Sequence, residues 1–209
     1  MNVERNMKKL DTFKSPLNKV TSTEWLFCLF FTSLMSFTRF YHGDNVWNLP
    51  DASLAVFFLC GHFLNSALFL LWFLVEACLI DLVSIYGFGV SSYCLSPAYF
   101  FLIPAFSCAW MIGKKSKPFI HLDSSSTTLQ LGIAVFSLLS ATTLAACIYF
   151  LISNISFFLF SGQFSHLTLQ TYFTKVAMYF PAYWLSLMGY TVSFIACRQA
   201  LIMARYAAR

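Results

Sequence analysis

Charge is scarce in this sequence: 13 Lys/Arg and 8 Asp/Glu make up 10% of 209 residues, against about 25% in an ordinary soluble domain. So few ionic side chains cannot cover a globular surface, which argues against a water-soluble enzyme, a nucleic-acid binder or a disordered chain. Catalytic signatures are missing too. There is no G-x-x-x-x-G-K-S/T phosphate loop, no G-x-S-x-G, no H-E-x-x-H and no clustered Cys/His set. ATP hydrolysis by the chain itself and a zinc centre therefore have no recognisable basis. No internal repeat or heptad array stands out, and no ten-residue dyad alternation suggests a β-barrel.

What is abundant is apolar. Hydrophobic residues are 59% of the chain, Phe alone occurs 25 times, and the mean hydropathy is +0.71. The expectation is an all-α integral membrane protein: a basic tail over 1–21, then a single transmembrane domain over 22–209. Thr21 and Glu24 form a T-x-x-E capping box before the first apolar run, which predicts a span at 22–40. The basic start resembles a signal peptide, but no small-x-small site follows, so the span reads as an uncleaved anchor. Pro50 suits the first turn of the next helix. The 35 mostly apolar residues from Ala52 to Tyr86 exceed one span of about 20, and GHFLNS (61–66) reads as a tight turn dividing them. Six spans result, at about 22–40, 52–64, 66–86, 98–113, 128–152 and 171–197.

The charges orient this bundle. Five Lys/Arg in the tail, Lys114, Lys115 and Lys117 in one loop, and Arg198, Arg205 and Arg209 at the C-terminal end fall on one side if both termini are cytoplasmic. Merging 52–86 into one helix would put the three lysines outside, against the positive-inside rule. The net charge of +5 is thereby explained by topology, with no nucleic acid involved.

Six of the seven cysteines fall within these spans, where a thiol behaves as a small apolar group. Cys94 alone lies in an outward loop, GFGVSSYCLSP, without a second loop cysteine to pair with. A quinone-linked thiol oxidase is thereby excluded, and the residues alone leave open whether Cys94 is used or incidental. Few ionisable residues fall inside spans: Glu76 and Asp81 on the third, Lys175 on the sixth and Arg39 at the outer end of the first. Glu76 and Asp81, five positions apart, are about 140° apart round a helix and form no paired carboxylate site. Either could form a structural ion pair with Lys175, or Asp81 could face an outward cavity. His42 and His166 belong to outward loops, with Tyr41, Trp47, Tyr86, Tyr93 and Tyr99 nearby. Such aromatics are either an interfacial belt or the lining of a cavity for an amphipathic ligand. Ser137, Ala141 and Ala145 form a small-residue stripe read as helix packing.

Three segments, TRFYH (38–42), LPDASLAVFFLCG (49–61) and YCLSPAYFFLIP (93–104), resemble the BtuM family. These are solitary substrate-binding components of the energy-coupling-factor type in Gram-negative inner membranes, associated with vitamin B12 uptake. The motif match covers roughly 38–112. The resemblance implies that Cys94 is the axial ligand to cobalt of a base-off corrinoid, a sensible pairing of soft thiolate with a late transition metal. It also makes Tyr99, Tyr93, His42 and Asp81 candidates to contact the corrin. Substrate-binding components that dock a shared ATPase module usually carry an A-x-x-x-A stripe on the first helix. Here Thr32 and Ser36 stand at that spacing, so the energy source is open: a borrowed ATPase module or none. The expected activity is capture of cobalamin outside and its movement inward by reorientation in the bilayer, with no intrinsic cofactor and no enzymatic turnover beyond a side reaction of Cys94 on the upper cobalt ligand. The alternatives are a binding component for another vitamin, such as thiamin or biotin; a membrane thiol enzyme; and a non-catalytic subunit of a larger complex.

Overall fold

The computed structural model describes residues 20–40, 49–117 and 128–207, with Cys94, Tyr206 and Ala207 described by their backbone alone. Among the described residues there are helices and no strand. In chain order they are α1 (Ser22–Phe40), α2 (Ser53–Phe63), α3 (Leu68–Phe88), two 3₁₀ segments (Ser92–Cys94 and Pro97–Phe101), α4 (Leu102–Ser116), α5 (Thr128–Phe160), α6 (Leu169–Val176), a 3₁₀ turn (Ala177–Tyr179) and α7 (Phe180–Ala207). Three stretches are long and apolar enough to cross a membrane: Leu68–Phe88, Thr128–Phe160 and Leu169–Arg205.

Helix α1 starts where its capping box places it. The Thr21 backbone N–H donates to Glu24 Oε2 at 2.9 Å, and the Glu24 N–H donates to Thr21 Oγ1 at 3.3 Å. At the far end of α3, Gly89 adopts φ of 70°, and the Val90 N–H reaches back to the Ser84 carbonyl at 3.1 Å. This left-handed stop is one that glycine makes without a Cβ penalty. The tightening at Ala177–Tyr179 lies just ahead of Pro181, whose ring and missing N–H disturb the preceding turn. The last rod is thereby divided without being broken.

Helix α2 is the centre of the bundle. Every residue from Ser53 to Gly61 is buried, and α2 packs on α1, α3, α4 and α7. A helix that is apolar on all sides belongs in such a place. At 11 residues it is about 16 Å long, too short to cross a hydrocarbon core of about 30 Å by itself. Its tightest neighbour is α4. A Cβ on Gly61 would fall on the carbonyl of Trp110, and one on Gly113 on the carbonyl of Phe58. Beside this crossing Phe57 stacks on Phe106 with centroids 4.2 Å apart.

Several boundaries differ from the sequence-based expectation. Gly61 is not in a turn; it lies inside α2 as a packing glycine, and the chain reverses at 64–67. Pro50 precedes the helix instead of occupying its first turn, since α2 begins at Ser53. Helix α5 runs on to Phe160 rather than 152, giving 33 residues. The stripe on α5 does pack inward at Ala145, which is fully buried with Ala146.

The bundle has two polar ends. At one, Glu24 Oε1 accepts the Asn65 N–H at 2.9 Å, and Lys117 Nζ donates to Asn65 Oδ1 at 2.9 Å. Arg198 lies over the Phe63 ring there, 5.5 Å from its centroid. The other end gathers the last turn of α1, the start of α2, the last third of α3 and the 3₁₀ segments.

Candidate functional site

The second polar end is built around Arg39, which the last turn of α1 carries into the bundle and which is only 6% exposed. Its Nε donates to Asp81 Oδ1 at 2.7 Å and its Nη2 to Asp81 Oδ2 at 2.6 Å. This is a two-point fork on a carboxylate, the geometry for which guanidinium is suited. Nη1 turns the other way, to Ser53 Oγ at 3.1 Å and Asp51 Oδ2 at 3.3 Å. Asp51 in turn accepts the Ser53 N–H at 2.9 Å and the Ser53 hydroxyl at 2.6 Å, which satisfies donors left open at the start of α2.

The segment Leu49–Ser53 is held from two further sides. Thr38 Oγ1 accepts the Ala52 N–H at 3.1 Å. From α7, Ser186 Oγ donates to the Asp51 carbonyl and Tyr190 OH to the Pro50 carbonyl, both at 2.7 Å. The L-P-D-A-S motif thus works as a junction of α1, α2 and α7, with α3 reached through Arg39 and Asp81.

Tyr99 completes the cluster. It rides on the 3₁₀ segment Pro97–Phe101, and its hydroxyl donates to Asp81 Oδ2 at 2.7 Å. Two of the expected ligand contacts, Asp81 and Tyr99, therefore meet each other and Arg39. Buried hydroxyls with no hydrogen-bond partner among the described residues flank the pair: Ser84 Oγ, one turn beyond Asp81, and Ser96 Oγ, three residues before Tyr99.

Cys94 ends the short 3₁₀ turn Ser92–Cys94, between α3 and the segment that carries Tyr99. Tyr93, beside it, is 53% exposed, with its ring 5.7 Å from that of Phe157 on α5. Its carbonyl accepts from Gln163 Nε2 at 3.3 Å, which ties the cysteine turn to the α5–α6 connection. His166 is exposed on that same connection. His42, Tyr41 and Trp47 lie outside the described residues.

The expected pairing of Glu76 or Asp81 with Lys175 is corrected. Asp81 pairs with Arg39, and Lys175 is exposed on α6. Glu76 meets two hydroxyls of α1: Thr32 Oγ1 and Ser36 Oγ each donate to its carboxylate at 3.0 Å. Trp72 Nε1 donates to Thr32 Oγ1 at 2.9 Å, which leaves the Thr32 proton free to point at Glu76. The small-residue spacing on α1 is thus an interhelical hydrogen-bond site toward α3. The other cysteines, Cys28, Cys60, Cys78, Cys108, Cys147 and Cys197, are free thiols within helices.

Sequence reasoning passed over Arg39, Asp51 and Ser53 as members of the site. The signal for Arg39 was present, as a cation at the apolar end of a span, and Asp51-Ala-Ser53 has the form of an Asx turn before a helix. Fold and site together define a helical bundle with membrane-length helices and a buried ion-pair cluster beneath a cysteine-bearing turn. No protein-family model and no curated protein matches the chain.

Proposed function

We propose that this chain is a six-span protein of a bacterial inner membrane, with both termini cytoplasmic, that captures a cobalamin-type corrinoid outside and moves it inward. Cys94 supplies a thiolate to the corrin cobalt. The observation that carries the reading is the Tyr99–Asp81 hydrogen bond of 2.7 Å. It anchors the segment bearing Cys94 to the end of the bundle opposite Lys117 and Arg198, as an outward binding loop requires under the positive-inside rule. The membrane-length helices support the setting, and the short α2 and α4 are carried within a bundle whose longer members cross the bilayer. Thiolate is a soft, polarisable ligand suited to cobalt, and the bond protects it from oxidation. Tyr93, Tyr99, Asp81 and His42 would surround the bound ring. The chain has no recognisable nucleotide site, so any ATPase module is borrowed.

The test is direct. Protein produced with cobalamin should purify coloured, with a thiolate–cobalt absorption band and the corrinoid mass. Cys94→Ser should lose that band. Colourless wild-type protein that binds no added corrinoid would remove the proposal, and undiminished uptake by Cys94→Ala would point to a vitamin without a metal.

A further inference from the structure

We infer that Arg39 is a positioning residue: through Asp81 and Tyr99 it sets where the Cys94 turn sits. The inference rests on the proposed corrinoid site but assigns a role to a residue that touches no ligand. The chain of contacts is short and continuous. Arg39 fixes both oxygens of Asp81 by its fork, at 2.7 and 2.6 Å, and Oδ2 of that same carboxylate receives the Tyr99 hydroxyl at 2.7 Å. Because Arg39 also holds Asp51 and Ser53, its own position is determined by α1, α2 and α3 together. Asp81 therefore presents Oδ2 to Tyr99 at a fixed point.

Between Tyr99 and Cys94 the backbone has little slack. The Tyr99 N–H bonds to the Ser96 carbonyl and the Leu95 N–H to the Ser92 carbonyl, both at 2.8 Å. These are two successive tight turns, 92–95 and 96–99, joined directly at Leu95–Ser96, so five residues separate the Tyr99 anchor from Cys94 and a shift of the first reaches the second through that one junction. Among the described side chains, the other hydrogen bond that ties this unit to the bundle is Gln163 to the Tyr93 carbonyl, at 3.3 Å, the longer of the two. The Asp81 bond is the shorter polar tie, beside the apolar packing of Tyr93 on Phe157 at 5.7 Å.

A lysine at position 39 would keep the charge but lose the fork, since an ammonium is a point charge on a flexible stem. Arg39→Lys therefore separates positioning from charge balance. Tyr99→Phe removes the link downstream, and Glu24→Gln perturbs the opposite end of the bundle. Each is measured in the purified full-length protein by cobalamin titration, by the position of the thiolate–cobalt band at saturation, by thermal stability and by the alkylation rate of Cys94 read from its peptide mass.

Loss of a hydrogen bond to a charged group changes an equilibrium by roughly tenfold or more. Arg39→Lys and Tyr99→Phe should each weaken cobalamin binding by about tenfold or more, shift the band and change the alkylation rate. The double variant should be no worse than Arg39→Lys alone, because both act on one chain of contacts. Glu24→Gln should lower stability and leave band and rate unchanged. Multiplying losses in the double variant, or wild-type binding and alkylation in Arg39→Lys, would overturn the inference. If the wild-type protein binds no corrinoid, the proposed function fails while the positioning role is decided by alkylation: rates altered non-additively support it, and unaltered rates overturn it.

Discussion

Replacing Gly61 by alanine should be among the most damaging single-methyl changes in the molecule. The added Cβ would fall on the carbonyl oxygen of Trp110, and that oxygen belongs to the backbone of α4, so no side-chain rotation relieves the overlap. The axes of α2 and α4 must separate by roughly 1 Å to restore contact distance. Separation loosens the Phe57–Phe106 stack, now at 4.2 Å, and opens a gap beside residues that are fully buried. Overpacking of a close-packed interior costs about 1–3 kcal/mol, and the rigidity of the clashing atom places Gly61→Ala at the upper part of that range.

Gly113→Ala meets the Phe58 carbonyl in the same manner from the other helix, so its cost should be similar. The pair should not add, because the separation forced by the first methyl already makes room for the second. Gly132 and Gly189 lie in helices α5 and α7 with nothing within 4 Å of a built Cβ. Alanine there should be neutral or stabilising by up to about 1 kcal/mol. Equilibrium unfolding in mixed detergent micelles would measure all five variants. The reasoning is refuted if Gly61→Ala is no worse than Gly189→Ala, or if the double variant loses the full sum.

Two further outcomes can be read by the same unfolding assay. Glu24→Ala removes the acceptor of both the Thr21 and Asn65 backbone N–H groups, and should cost about 1–2 kcal/mol as the loss of a buried cap. A loss below about 0.3 kcal/mol would show that water replaces the carboxylate. At the α1–α3 contact, Thr32→Val should destabilise more than Glu76→Leu. The first leaves a carboxylate with one donor, whereas the second frees two hydroxyls that can turn to their own helix backbone; the opposite order would discount this contact.

Local signals were legible in the sequence because their physics is local. The Thr21–Glu24 box spans three residues, and the start of α1 follows from it. Runs of apolar residues gave the helices to within a turn or so at most ends. Gly61 was misread because glycine is both a breaker and a close-contact residue. Only the neighbouring carbonyl of Trp110, 49 positions away in the numbering, distinguishes the two. The partner of Asp81 was missed for the same reason: Arg39 is 42 positions distant, and nothing in the periodicity of either helix prefers it to Lys175. Helix α5 continues past 152 through Ser153, Asn154 and Ser156, which are polar. Their side chains bond to carbonyls three and four residues back in the same helix, which lets the helix continue.

The few charges also explain how so short a helix as α2 is held at the centre. Helix α1 carries one acid near its start and one cation near its end, and each reaches to a different end of α2. Glu24 binds the Asn65 N–H just past the C-terminus of α2, and Arg39 binds Ser53 and Asp51 at its N-terminus. The two clamps are about 22 Å apart along α1, longer than the roughly 16 Å of α2 itself, so α1 brackets α2 completely. Between them the contact is apolar and includes the Phe27–Phe63 ring pair, with centroids 5.5 Å apart. A substitution in the middle therefore acts through packing, while one at an end acts through a single polar cluster. Of the two clamps, the one at Arg39 shares the Asp81 carboxylate with Tyr99, on the segment that follows the turn bearing Cys94.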